Sequence, residues 1–455
     1  MDTIKAISVI DGRYSKITKD LREIFSEYGL IKHRVYVEIE WLKFILKDLK
    51  LVKVDKSILK NLDKIKHDFN EFHAKEIKKI EKKINHDVKA VEYFIKDKLR
   101  KIHCENLIEW VHFACTSDDI NNISHALMLK KGKQIIENVL KEFVNEIEAK
   151  AFKYKSVPMM SRTHGQPATP TTVGKEFVNF AWRICHEIKI IKQASIQAKI
   201  NGTTGNYNAH FFVFPDIEWI KASKKFLSIN LGLEPIFFTT QINPNLSLSY
   251  ILHSMIRSAA TIIDFNRDMW GYISLDYFKQ HLKESETGSS IMPHKINPID
   301  FENSEGNMGI AISMMEHFSV KLAKSRFQRD LSDSTVLKSI GTIFGYYLIG
   351  IKNSIKGLKK ITLNQKVILK DIQDNPELLA EPFQTAMRVF GEKNPYERLK
   401  KLTRGKKIEK KELEMFVNEL NEIPFEFKEK MKALKVEEYT GLAEKLVEVY
   451  FSQIP

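Results

Sequence analysis

LSLSYILHSMIRSAATIIDFNRDMWGYISLDYFKQHL, residues 246–282, is one long amphipathic run. As a single helix it would extend roughly 55 Å at 1.5 Å per residue. A compact sphere built from the 455 residues of this chain has a radius of gyration of only about 22 Å. Such a helix would cross the whole molecule. Several of them joined end to end form an elongated bundle, whose apolar faces exceed what one chain covers. Burial in an oligomer is the simple solution. The predicted fold is therefore all-α.

Upstream, the same spacing recurs. Leu21, Ile24, Phe25 and Tyr28, then Val35, Ile39, Leu42, Ile45 and Leu46, fall at helical intervals. His112–Asp119, HFACTSDD, reads as a loop opening a helix to about Tyr154, with Thr116, Ser117, Asp118 and Asp119 offering caps and first-turn acids. Val157–Thr172 holds three prolines and a glycine and reads as a loop. A helix follows from Val173 to about Ile200. Asn201–Asn245 is a long connection with one helix near Ile217–Leu231. Pro298 starts a further helix to about Lys324, and Ser334–Leu358 is helical. From about Ile361 the elements shorten. The expected organisation is an N-terminal helical domain (1–111), a central long-helix bundle (112–360) that assembles into a tetrameric helical core, and a C-terminal helical domain (361–455).

The net charge of +14 raises nucleic-acid binding as a function. The basic runs Lys75–Lys83 and Arg404–Lys411 are interleaved with Glu, as exposed helix faces are, so no nucleic-acid partner is expected. Cys104, Cys115 and Cys185 are widely spaced and odd in number. This argues against a disulfide framework or a zinc site and fits a reducing compartment. The opening MDTIKAISVIDGRYS has no apolar h-region. The longest apolar run, near Ile340–Ile351, reads as too short to span a bilayer. The expected location is cytoplasmic, with no membrane contact, no metal and no cofactor.

The 246–282 run delivers the loop Glu286–Pro298, ETGSSIMPHKINP. Pro293 and Pro298 bar regular helix across it. Hydroxyl, imidazole, ammonium and amide groups clustered on one loop read as binding or catalytic; a polar connector is the alternative. GSSIMPHKINP resembles the signature loop of the fumarase/aspartase superfamily, GSSxMPxKxNP, and carries every fixed position. The resemblance implies a lyase that eliminates fumarate from a succinyl group.

Further stretches narrow this. DGRY (11–14), NHDVKAVEYF (85–94), HFACTSDDINN (112–122), SRTHGQPATP (161–170), KINGTTGNYNAH (199–210), TTQINP (239–244), NPIDFENSEGN (297–307) and RFQRDLSDSTVL (326–337) resemble the adenylosuccinate lyase family and cover all three expected domains. The resemblance implies two reactions: adenylosuccinate gives AMP and fumarate, and SAICAR gives AICAR and fumarate. Both substrates carry two carboxylates and a 5′-phosphate, so a pocket rich in Arg and Lys is required. Argininosuccinate lyase is the nearest alternative. A structural protein on the same fold is another, but Ser289 and His164 are both present.

The resemblance makes Ser289 the general base and His164 the general acid, a proton-transfer role that suits histidine near neutral pH. Asn85, His86 and Asp87 form a substrate-contacting triplet in which His86 partners the acid; a helix-start cap is the bland reading of His86. Thr116, Ser117 and Gln241 match groups that hold the succinyl carboxylates. Lys295 and Asn297 match carboxylate ligands facing the charge that develops in the reaction, and Ser290 a further substrate-binding position. Arg13, Tyr14, Arg329, Ser334 and Thr335 match the nucleotide-holding set, and Asn303 a further ligand position. Related sequences read STVLR where this one reads STVLK, so Lys338, a point charge, replaces a bidentate fork. His112, His125 and His294 receive no role. Finally, Thr116 and Ser117 open the helix that ends near Tyr154, and His164 lies beyond its far end, roughly 50 Å of helix away. With no proline to break it, the expectation is a homotetramer whose active sites are shared between subunits.

Overall fold

The computed structural model describes residues 3–281, 291–292, 294–405 and 408–453, and helices dominate it. Among the described residues six helices reach twenty residues or more: α1 (Glu27–Lys47), α2 (Ser117–Lys153), α3 (Val173–Gln193), α4 (Leu246–Ser274), α5 (Ile299–Lys321) and α6 (Ile340–Lys359). The chain forms two compact units. Met1–Leu140, Glu187–Ala260 and Gly306–Lys352 make the first; Lys141–His186, Thr261–Glu305 and Asn353–Pro455 make the second.

In the first unit, α1 begins where the Ser26 hydroxyl accepts the Gly29 N–H at 3.1 Å, satisfying one of the otherwise unpaired first-turn donors. Of the expected stripe, Val35, Ile39, Leu42 and Leu46 pack, with Ile31 beside them, against Ala90, Val91, Phe94, Ile95 and Leu99 of the helix Asp87–Lys101. Each large side chain so buried contributes about 1.5–3 kcal/mol.

Four expectations about elements need correction. The 246–282 run is not one helix. α4 stops at Ser274, about 44 Å long. Asp276 adopts φ 59°, while Asp276 N–H donates to Ile273 O at 3.0 Å and Tyr277 N–H to Tyr272 O at 2.9 Å. This is a Schellman stop, built with Asp instead of Gly. The chain then enters a short strand, Phe278–Gln280, paired antiparallel with Ile361–Leu363.

Val157–Thr172 is not a loop but a hairpin, β1 (Pro158–Thr163) with β2 (Gln166–Thr172). The 201–245 connection carries separate short helices, Asn208–Val213 and Trp219–Lys225, followed by a π turn at Phe226–Asn230. Pro215 bars continuation of the first. The Ser334–Leu358 reading divides into Ser332–Leu337 and α6.

Two stretches, Leu246–Ser274 and Ser332–Lys359, are long and apolar enough by composition to cross a membrane, contrary to the sequence reading. About half of each apolar window is buried inside the chain, 50% and 56%. α4 also holds buried polar groups paired within the protein. Ser254 donates to Glu187 at 2.6 Å in the first unit, and Asn266 to Ser304 at 2.9 Å in the second. These are contacts of core helices.

Candidate active site

In the first unit the Asn85-His86-Asp87 triplet is a helix-to-helix corner. Asn85 ends the helix Glu71–Ile84 in the left-handed conformation, φ 54°, which Asn tolerates better than most residues. His86 is the N-cap of the next helix, and its Nδ1 accepts the Lys89 N–H at 3.2 Å. The cap role is thus realised. It also leaves Nε2 as the nitrogen that carries the proton of the neutral ring, on a half-exposed side chain.

Asp87 accepts from the Val88 N–H at 2.9 Å and from Arg34 at 2.7 Å. Burial pushes its carboxyl up. The Arg34 guanidinium and the Val88 N–H outweigh that and hold it below the usual carboxylate range. Arg34, almost fully buried, also donates from Nε to Asn121 on α2 at 2.8 Å. It locks the corner to that helix.

Lys338 Nζ stands 3.8 Å from Asp87. Both line a cavity of about 200 Å³ with Arg34, Glu27, Glu81 and His125. His125 is buried. Burial first, then Arg34 and His33, drive its pKa down to about 3, so the ring is neutral, and its Nδ1 has no partner among the described residues. A second cavity, about 290 Å³, joins Lys338 to Ser8, Asp11, Arg22 and Thr342. Its wall is the turn that carries Arg13 and Tyr14, where Tyr14 N–H donates to Val9 O at 2.8 Å. The structure therefore brings the DGRY turn, the NHD corner and the STVLK end together.

A second group in the same unit gathers around Asp119. Thr116 immediately precedes α2, and Asp119 Oδ2 reaches back to accept the Thr116 N–H at 2.9 Å, the return half of a capping box. Asp119 also accepts from Gly202 N–H, Asn201 N–H and Lys199 Nζ, at 3.1, 3.1 and 2.9 Å. This fixes the Thr116–Ser117 turn to the 199–205 loop. That loop in turn holds Gln241, whose Nε2 donates to Thr203 O at 3.0 Å. Gln241 Oε1 accepts from Arg329 at 2.8 Å. Gly205, at φ 83°, lets the loop pass so close to Thr239 that a Cβ would meet the Thr239 carbonyl at 2.5 Å. Ser334 is set by its own N–H donating to Asp333 at 2.7 Å, and Thr335 is exposed on the same short helix.

The second unit holds His164, Lys295, Asn297 and Asn303. His164 and Gly165 form the two-residue turn of the β1–β2 hairpin, with φ 53° and 75°. Two positive values mark the turn type that matches the twist of paired strands. The imidazole is exposed at the tip. Below it the hairpin is anchored on both strands. Arg162 pairs with Asp371 at 2.8 Å, Tyr277 donates to the same carboxylate, and Thr169 donates to Glu381. Lys295 is exposed, in a turn where its N–H donates to Met292 O at 3.0 Å, and Gln280 donates to Ile296 O at 3.0 Å. Asn297 is half-buried just ahead of α5, and Asn303 lies on that helix. Ser289 and Ser290 lie outside the described residues. Among the described residues no group of His, Cys, Asp and Glu has the arrangement of a metal site.

Sequence reasoning missed Arg34, Lys199, Asp371 and the neutral His125, whose partners lie far away in the chain. The acid three residues after Thr116 was the one local signal, since that spacing marks a capping box.

Comparison with known proteins bears on the family and the fold. A lyase family model matches residues 12–312, and an adenylosuccinate lyase C-terminal model matches residues 325–440. The chain is 48% identical over 453 residues to the adenylosuccinate lyase of Buchnera aphidicola from Schizaphis graminum, covering 98% of this chain and 99% of that one. It is 44% identical over 455 residues to the adenylosuccinate lyase of Escherichia coli K12, with 98% and 99% coverage. Among solved structures, a fumarate lyase from Mesorhizobium sp. BNC1 superposes with a TM-score of 0.78 at 13% identity, covering 96% of this chain and 98% of that one. The muconate lactonizing enzyme of Pseudomonas putida superposes with a TM-score of 0.75 at 15% identity, covering 95% and 96%. The structural likenesses establish the fold, and the full-length sequence identities establish that this chain belongs to the adenylosuccinate lyase family of carbon–nitrogen lyases within the fumarase/aspartase superfamily.

Proposed function

We propose that the chain cleaves adenylosuccinate to AMP and fumarate, and SAICAR to AICAR and fumarate, by general base and general acid. Ser289 takes the proton from the carbon beta to the departing nitrogen, the new C=C bond forms, and the C–N bond breaks as His164 protonates the nitrogen. The charge that spreads into the neighbouring carboxylate is stabilised by Lys295 and donors around it. The observation that carries this reading is identity of 44–48% over nearly the whole chain to adenylosuccinate lyases. The presentation of His164 on an anchored hairpin tip supports its role. Arg13, Tyr14, Asp87, Ser334, Thr335 and Lys338 form the nucleotide end; Thr116, Ser117, Gln241 and Arg329 form a linked group beside it.

The working assembly in this reading is a homotetramer with shared sites in the cytoplasm, its chain organised as the three domains 1–111, 112–360 and 361–455. Two observations favour it. α2 runs unbroken for 37 residues, about 55 Å, between the Thr116 turn and the segment leading to His164. Trp182 on α3, Tyr250 and Trp270 on α4 and Ile310 on α5 are all exposed, as apolar faces awaiting other copies are. The direct test is ultraviolet detection of fumarate release from adenylosuccinate beside argininosuccinate. Release from the first and none from the second is expected; the reverse overturns the assignment.

A further inference from the structure

Around the start of α2 three buried carboxyls face two cations. Asp118, Asp119 and Asp333 are 7%, 0% and 4% exposed. Lys199 is 0% exposed, and Arg329 is half-buried. Two positive charges balance two carboxylates, and a third unpaired charge in a buried site is costly. One carboxyl should therefore carry a proton.

Hydrogen bonding tells which. Asp119 accepts four donors, the N–H groups of Thr116, Asn201 and Gly202 and the ammonium of Lys199. Its oxygens are thus fully engaged as acceptors. Asp333 accepts the Ser334 N–H at 2.7 Å. Asp118 Oδ2 is inaccessible to solvent and has no partner among the described residues. The groups that face Asp118 are Lys199, Asp333, Arg329 and Asp119. Burial is the largest influence on it, followed by the attraction of Lys199 and the repulsion of Asp333, and the carboxyl is pushed up to about 7.

We propose that Asp118 is a positioning residue that holds a proton at neutral pH and so leaves the Arg329 guanidinium available to an anionic group of the substrate. When the proton is lost, a buried carboxylate beside Arg329 competes with the substrate for that cation. Asp118 thus acts through Arg329, not on the reacting atoms. The inference rests on the reading of Arg329 as a substrate ligand. It goes beyond the family motif, which assigns Thr116 and Ser117 but not the acid that follows them.

The sign is distinctive. The substrate phosphate gains charge as pH rises through about 6, which tightens binding to an Arg- and Lys-lined pocket. Deprotonation of Asp118 weakens it. The experiment measures KM for adenylosuccinate from pH 6.5 to 9 in the wild type and in Asp118→Asn, with melting curves to verify folding. In the wild type KM should rise above neutrality, by up to tenfold per pH unit for one linked proton. Asp118→Asn should keep the low-pH KM throughout. Superimposable profiles overturn the proposal. Should Asp118→Asn fail to fold, Asp333→Asn provides the second variant. Removing the neighbouring carboxylate should move the KM rise to lower pH, and an unmoved rise overturns the proposal equally. Arg329→Lys separates the underlying reading. If it leaves KM unchanged at every pH, Arg329 is not a substrate ligand and the error lies there.

Discussion

Replacing Lys199 with Met tests the Asp119 junction. Lys199 and Asp119 are both fully buried, 2.9 Å apart. The ammonium also donates to Gly202 O at 3.3 Å. Met matches the aliphatic stem but removes the charge, leaving Asp119 to its three backbone donors and, among the described residues, Arg329 as the remaining cation acting on Asp118. Breaking a buried pair by removing one partner costs about 3–5 kcal/mol, most of it the stranded charge. Unfolding entropy for 455 residues is about 1 kcal/mol/K. If the chain melts as one unit, Tm should fall by about 3–5 °C in a calorimetric scan. The 199–205 loop holds Gln241 through Thr203 O, so KM for adenylosuccinate should rise as well. The double variant Lys199→Met/Asp119→Asn should lose less than the sum of the two single losses, because the stranded charge is gone. A Tm drop below 1 °C for Lys199→Met, or strict additivity in the double variant, would refute the idea that this pair fastens the Thr116 turn to the loop.

Ser289→Ala should abolish turnover while sparing substrate binding measured by calorimetry; turnover within tenfold of the parent, only about 1.4 kcal/mol of barrier, is too small a loss for a base. Lys338→Ala should raise KM for adenylosuccinate and Lys338→Arg should leave it unchanged or lower it; indifference of both KM and kcat to the alanine variant would make Lys338 a surface residue despite its place between two cavities. His86→Ala and His164→Ala, each nearly inactive, should regain activity when mixed and reassembled, because about a quarter of the sites in a randomly shuffled symmetric assembly then receive one intact histidine from each parent. Mixtures that exchange subunits yet stay inactive would rule out sites shared in this way.

The helical core was legible because its signal is local. Val35, Ile39, Leu42, Ile45 and Leu46 announce a buried stripe by spacing alone, and all five are buried, four of them in one cluster. The hairpin was not legible. Its strands carry Pro158, Pro167 and Pro170, which propensity counts against a strand, and its pairing includes an irregularity between Met160 and Ser161. The Schellman stop at Asp276 was hidden because the left-handed residue is not glycine. The site shows the same divide. Thr116 with an acid three residues later is a readable cap. Arg34 meets Asn121 across 87 positions and Lys199 meets Asp119 across 80, and no spacing rule reaches so far. The signature loop was legible as a string of residue types, yet Ser289 and Ser290 fall outside the described residues, so their geometry is carried by the motif alone.

The described site residues avoid the middles of the long helices with one exception, Asn303 on α5. Asn85, His86 and Asp87 turn the chain from one helix to the next, Thr116 and Ser117 begin α2, Ser334 and Thr335 occupy a six-residue helix, and His164 tips a hairpin. Helix starts present unpaired N–H groups and the positive end of the dipole, which suits a substrate bearing two carboxylates and a phosphate. Acids placed at those starts would repel that substrate unless each is committed elsewhere. Asp87 is committed to Arg34 and Asp119 to Lys199 and three backbone N–H groups. At the start of α2, Asp118 Oδ2 has no such partner among the described residues. A proton on its carboxyl is the remaining way to keep the start of α2 attractive to an anion, which is why its titration should shape how binding depends on pH.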